Sequence, residues 1–240
     1  MNVKRILIAL ATAATVAVAA AVGSLTGLSR AQAQVGNAPP ESEQSMIQIG
    51  LQVAPVPLNM AGKNPALVGL GSYLVNVTDH CNTCHSAGPA TQFAKGGNPY
   101  FKANGGAVIN PATYLGGGRV FPPLVSGMPA ATPIIVSRNL TPDRTGLPEG
   151  GRTLAEFLYI MQTGSDLDGL HPNCTDPNIT ASTTCFPLNL PFNGDLLQVM
   201  PWPDLRHLTE HDLRAIYEYL RAVPCIEGPP APSPLHNDCA

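Results

Sequence analysis

Five consecutive residues carry the most specific chemistry of the chain: Cys81-Asn82-Thr83-Cys84-His85. Two thiols a helical turn apart, with an imidazole directly behind them, form the Cys-x-x-Cys-His pattern of covalent c-type haem attachment. The spacing has a physical reason. Both thiols must add to vinyl groups on one porphyrin edge, and the adjacent histidine then stands under the iron as proximal ligand. A zinc site would need a second ligand pair at similar spacing, which Cys174, Cys185, Cys225 and Cys239 do not supply. A thioredoxin-type dithiol would sit between a strand and a helix, and no βαβ pattern surrounds this one.

His85 alone would leave the sixth iron position open. Met200 is the candidate to fill it, in Leu197-Gln198-Val199-Met200-Pro201-Trp202-Pro203. Its flanking prolines restrict the unfolded loop, so less entropy is lost on ligation. Met60, Met128 and Met161 compete, with Met161 better explained as core. His171, His207, His211 and His236 are the imidazole alternatives. An unfilled position would instead make a haem enzyme or a gas sensor.

The elements that must position these groups are legible as periodic segments. Leu67, Leu70, Tyr73, Leu74 and Val77 recur at helical spacing and predict a helix ending near Asp79. Residues 87–147 are dense in Gly, Pro, Asn and Thr, with short strands expected at Arg119–Phe121 and Ile134–Ser137. Thr153 with Glu156 forms a capping box for a second helix, which Gly164 should stop. A last helix starts at Thr209, presents Leu213, Ile216, Tyr217 and Leu220 on one face, and ends before Pro224.

The bulk composition agrees with a loop-rich domain. Of 240 residues, 25 are Pro and 23 Gly, while only 12% are charged. Lys4 and Arg5 precede an Ala-rich apolar run to about Leu25, and Ala31-Gln32-Ala33 follows as a signal-peptidase pattern. Export of the chain is expected, to a periplasmic or equivalent compartment; an uncleaved segment would be a membrane anchor. Cleavage after Ala33 takes the formal charge from −3 to −6, with 10 basic against 16 acidic residues left. A nucleic-acid partner would need a basic face, so none is expected. The four cysteines outside the haem pattern predict two disulfides, and proximity favours Cys174–Cys185 and Cys225–Cys239.

Several of these segments together resemble the monohaem cytochrome c domains related to the cytochrome subunits of periplasmic dehydrogenases. The matching residues are Gly71-Ser72-Tyr73-Leu74-Val75, Gly116-Gly117-Gly118-Arg119, Ser137-Arg138-Asn139-Leu140-Thr141-Pro142-Asp143, Met200-Pro201-Trp202 and Leu208–Leu213 with Tyr217–Arg221. The resemblance runs from about Pro65 to Pro224. It implies a mainly α cytochrome c fold around one covalent haem, with Met200 as the second axial ligand. It also implies that the first and last helices cross, Gly71 and Tyr73 meeting Leu213 and Tyr217. The chain departs from the pattern at Gly146–Thr153, which lacks the usual Trp, and in a long Ser165–Gln198 segment. Arg119, Arg138 and the indole N–H of Trp202 are candidate donors to the haem propionates.

The expected organisation is a signal peptide at 1–33, an extended leader at 34–64 with a short docked piece at Met46–Val53, a cytochrome c domain at 65–226 and a tail at 227–240. The expected role is single-electron transfer rather than catalysis. A dehydrogenase would be the donor and an oxidase or another cytochrome the acceptor.

Overall fold

Asn64 begins the central element by accepting hydrogen bonds from the backbone of Ala66 and Leu67, and Pro65 takes the first helical position. Helix α2, Pro65–Tyr73, follows, preceded in the chain by α1, Glu43–Val53. Past Tyr73 the chain widens into a π-helical turn, Leu74–Thr78, closed by Asp79 N–H donating to the Leu74 carbonyl. The periodicity therefore located the segment but not its change of winding; single π turns are frequent beside functional sites.

These coordinates are those of a computed structural model, which describes residues 42–101, 106–122, 133–176, 184–188, 190–231, 233 and 235–240. The expected signal peptide 1–33, with Ala31-Gln32-Ala33, and Met128 lie outside the described residues.

Glycines let three helices approach closely. A Cβ on Gly50 of α1 would fall 1.9 Å from the Gly69 carbonyl of α2, and one on Gly69 would fall 2.7 Å from the Ile47 carbonyl. On the other side of α2, a Cβ on Gly71 would lie 1.9 Å from the carbonyl of Ala215 in the last helix. That helix, α6, runs Glu210–Leu220 from the expected cap at Thr209, which forms a capping box with Asp212. Helices α2 and α6 pack together, and the groups nearest Gly71 are Ala215 and Tyr219. The Tyr73 backbone N–H stands against Gly50 of α1. The leader is likewise not simply extended: Glu43–Val53 is a helix with Ile47 and Gly50 buried against α2.

Between α2 and α6 lie α3, Cys81–Cys84; α4, Leu154–Thr163; and the short α5, Trp202–Leu205. Helix α4 has the predicted capping box, and Gly164 closes it at φ 73°. A two-stranded antiparallel ribbon pairs Val120 with Val136 and Phe121 with Ile135. The architecture of the described residues is thus mainly α, and residues 43–240 form one compact unit.

Val68, Leu70, Val75, Leu213, Ile216 and Leu220 fill the core, each worth about 1.5–3 kcal/mol on full burial. A buried polar network crosses it. The Tyr114 hydroxyl donates to Asn76 Oδ1 at 2.5 Å and lies 2.8 Å from that of Tyr219, while Ser72 Oγ donates to the Gly50 carbonyl at 2.6 Å. Both predicted disulfides are formed, Cys174–Cys185 and Cys225–Cys239. The second ties down the tail, whose Asn237 side chain donates to the carbonyls of Thr141 and Pro142 at 3.0 and 2.9 Å. Among the described residues no helix is long and apolar enough to cross a membrane.

Candidate functional site

Helix α3 is a single turn entered from His80, a non-glycine residue at φ 49°, and closed by His85 N–H donating to the Cys81 carbonyl at 2.8 Å. One loop clamps this turn. The Leu115 N–H donates to Asn82 Oδ1 at 2.9 Å, the Gly117 N–H to the His85 carbonyl at 3.1 Å, and Arg119 Nη1 to the Thr83 carbonyl at 2.6 Å. To present its N–H, the fully buried Leu115 adopts φ 61°. Such left-handed strain costs about 1–3 kcal/mol and clusters at functional sites.

Cys81 and Cys84 are the unpaired cysteines of the chain. Burial, reinforced by the neighbouring Asp79 carboxylate, pushes the Cys81 thiol up to about 12. A redox or nucleophilic cysteine needs the opposite shift, so Cys81 is poorly suited to act as a free reactive thiol. The His85 Nδ1 is 2.8 Å from the Arg138 carbonyl. Donation of Nδ1–H to that carbonyl leaves the lone pair on Nε2, the usual preparation of a metal-ligating histidine. Burial holds the ring below the ordinary imidazole range and therefore neutral, against the opposing effect of that hydrogen bond.

Cys81, Cys84 and His85 form one wall of a cavity of about 550 Å³, within the roughly 300–1,000 Å³ of small-molecule and cofactor sites. Phe121 and Ile135 of the ribbon, Phe157 and Ile160 of α4, and Ile216 and Leu220 of α6 make its sides apolar. Met200 and Leu205 line it from the chain before α6, and Phe186 from the disulfide-pinned segment. A large apolar prosthetic group anchored through two thiols and one imidazole fits this lining. Among the described residues no cluster of three or more His, Cys, Asp or Glu is arranged to hold a bare metal ion.

The other predicted residues separate. Met200 is half-buried in the lining, in a loop where Val199 takes φ 70°. Met161 also lines the cavity but is 4% exposed within the core of α4, whereas Met60 packs against the core outside the lining. Of the alternative histidines only His171 reaches the lining; His207 and His211 are exposed, and His236 borders a second cavity. The His171 Nδ1 is buried without a hydrogen-bond partner among the described residues. A neutral imidazole keeps one unprotonated ring nitrogen, so His171 stands with Met200 among the side chains of the lining able to bind iron.

Two of the expected propionate donors, Trp202 and Arg119, have other hydrogen-bond partners. The Trp202 N–H donates to the Leu197 carbonyl at 3.1 Å and the indole packs over Gly164, outside the lining. Arg119 is spent on Thr83 and on the Phe121 ring, 5.4 Å from its centroid. Arg138 does line the cavity, but Asp166, Asp168 and Glu149 surround its guanidinium. Sequence reasoning missed this cage, because its members are separated along the chain and none carries a motif. It also missed Asn82, although the residue stands inside the motif: only the partner Leu115 shows what its side chain does.

No family model, characterised protein or solved structure matches this chain.

Proposed function

We propose that the protein is an exported c-type cytochrome that carries single electrons on one haem. The haem would be joined to Cys81 and Cys84, with His85 and Met200 as axial ligands. The observation that carries this reading is the meeting of three features at one cavity wall: two unpaired thiols, an imidazole with Nδ1 already bonded, and an apolar hollow of cofactor size. When bound, the group supplies one-electron iron chemistry, at a potential that the ligands, their hydrogen bonds and the surrounding dielectric set.

The chain's own residues orient and insulate. The Arg138 carbonyl fixes the His85 ring plane, and the 113–119 loop fixes the turn that carries both thiols. Phe157, Ile160 and Ile216 give the cavity an apolar lining, which would lower the dielectric around the bound group. Two disulfides fit an oxidising compartment. A His/Met pair raises the potential and so suits a chain standing between a periplasmic dehydrogenase and an oxidase or second cytochrome.

Intact mass spectrometry of the protein from an exporting host tests the reading, together with an optical redox titration. The expected result is one haem per chain that survives denaturation, a reversible one-electron wave and no carbon monoxide adduct of the reduced form. A colourless protein sinks the cytochrome reading. A red protein that binds carbon monoxide shows an open sixth site and makes it a sensor or enzyme instead.

A further inference from the structure

Arg138 is held at both ends. Its carbonyl accepts the His85 Nδ1–H at 2.8 Å, and its side chain, 11% exposed, stands among three carboxylates. Nη2 donates to Asp166, whose side chain is 8% exposed. Nη1 lies 2.9 Å from Asp168 and 3.6 Å from Glu149 without the alignment of a hydrogen bond, so those attractions are Coulombic. Arg152 closes the group through its own contact with Asp168. Three carboxylates against two guanidiniums leave one negative charge in excess when all are ionised.

Glu149 is the unusual member. Its side chain is 10% exposed, and its backbone sits at φ 52° in the turn Pro148–Gly151. It lines the large apolar cavity on one side. On the other it lines a polar cavity of about 340 Å³, with Arg152, Asp168 and His236. A buried ion cluster is a weak device for stability, because desolvation cancels most of its attraction. A carboxylate at the junction of a polar and an apolar cavity has a route for protons from one and an electrostatic effect on the other.

We propose that Glu149 is a positioning residue for His85, acting through Arg138, and that its charge sets the potential of the site. The carboxylate restrains the guanidinium, the guanidinium restrains the main chain at Arg138, and the carbonyl there orients the imidazole. The inference rests on the reading of His85 as an iron ligand. Ionised, Glu149 adds negative charge beside the cavity and stabilises the oxidised state. Protonated through the polar cavity, it leaves the group neutral and favours the reduced state.

The charged and titratable neighbours that bear on it are Arg138, Arg152, Asp166, Asp168 and His236. Burial raises the Glu149 carboxyl above the ordinary range, with Arg138 and Arg152 opposing. Its proton therefore leaves at a higher pH than that of a solvated glutamate. The potential should fall as pH rises through that raised value and level off above it.

The test is the reduction potential of the haem-loaded full-length protein against pH, for wild type, Glu149→Gln and Asp168→Asn. In Glu149→Gln the one-electron equilibrium at pH above the wild-type step should move toward the reduced form by roughly tenfold, about 59 mV, and the pH step should vanish. Asp168→Asn, at a half-exposed carboxylate, should give a smaller shift and keep the step. The hyperfine-shifted His85 ring resonances of the oxidised protein should also move in Glu149→Gln. A wild-type potential that stays flat through acid pH overturns the inference, even if Glu149→Gln does not fold. So does a Glu149→Gln profile superimposed on the wild type with haem attached. Absence of attached haem in the wild type is a different failure, that of the cytochrome reading itself.

Discussion

The two walls of the large cavity are built in opposite ways. On the Cys81–His85 wall the three functional side chains occupy five consecutive positions, and the neighbouring loop holds their turn through hydrogen bonds at Asn82, Thr83 and His85. The rest of the lining, Met200 included, is a distributed wall whose residues are far apart in the chain: Phe157 and Met161 from α4, His171 and Phe186 from either side of the Cys174–Cys185 bridge, and Met200 from a proline-flanked loop. Local covalent geometry organises the first wall, and long-range closure organises the second. The second should therefore yield first to mutation, heat and denaturant.

Met200→Ala should give the largest separation between the walls. The haem should remain attached, since Cys81 and Cys84 are untouched, while the sixth position opens and admits carbon monoxide. The thioether–iron charge-transfer band of the oxidised protein should disappear. Thioether ligation favours reduced iron, so the potential should drop by a few tenfold units of about 59 mV each. Met161→Ala, which deletes another methionine from the same lining, should keep band and potential. It should lose about 2–5 kcal/mol of stability from the core of α4. An open site in Met161→Ala with a normal spectrum in Met200→Ala would reverse the ligand assignment.

Replacing both Cys174 and Cys185 by Ser sharpens the contrast by releasing only the distributed wall. The bridge closes a separation of 11 residues, worth about 3 kcal/mol by chain entropy. Thermal scans should show the charge-transfer band fading well below the main unfolding transition, with haem attachment and the His85 environment unchanged. Coincident loss of both signals at the wild-type temperature would mean that the segment does not support Met200.

Asn82→Ala makes the smallest change and addresses the compact wall. It leaves the buried Leu115 N–H without its acceptor, at a cost of about 1–3 kcal/mol. Denaturant unfolding should register that loss, while haem attachment and the spectrum persist. A loss beyond about 4 kcal/mol, or failure to attach haem, would show that the clamp is needed to form the turn rather than to steady it.

Much is legible in the sequence because several signals are local. The Thr153–Glu156 capping box and the Thr209 cap each depend on residues within one helical turn, and both helices start there. The strands near Val120 and Ile135 were bounded by glycine and proline, and both disulfides followed proximity. Helix α1 was harder to see, because its apolar face is narrow and acquires meaning only against Gly69 of α2.

What the sequence by itself determined is the chemistry available: two thiols and an imidazole at a spacing that chain geometry makes contiguous, and a methionine held between prolines. The tertiary structure decided which polar groups remain free for that chemistry. Trp202 donates to Leu197, Arg119 to Thr83, and Arg138 is enclosed by carboxylates drawn from residues 149, 166 and 168. Hydrogen-bond donors and charges act over a few ångströms in space, whatever the distance along the chain. Residue type can nominate a partner, but only the fold shows whether another partner has already taken it.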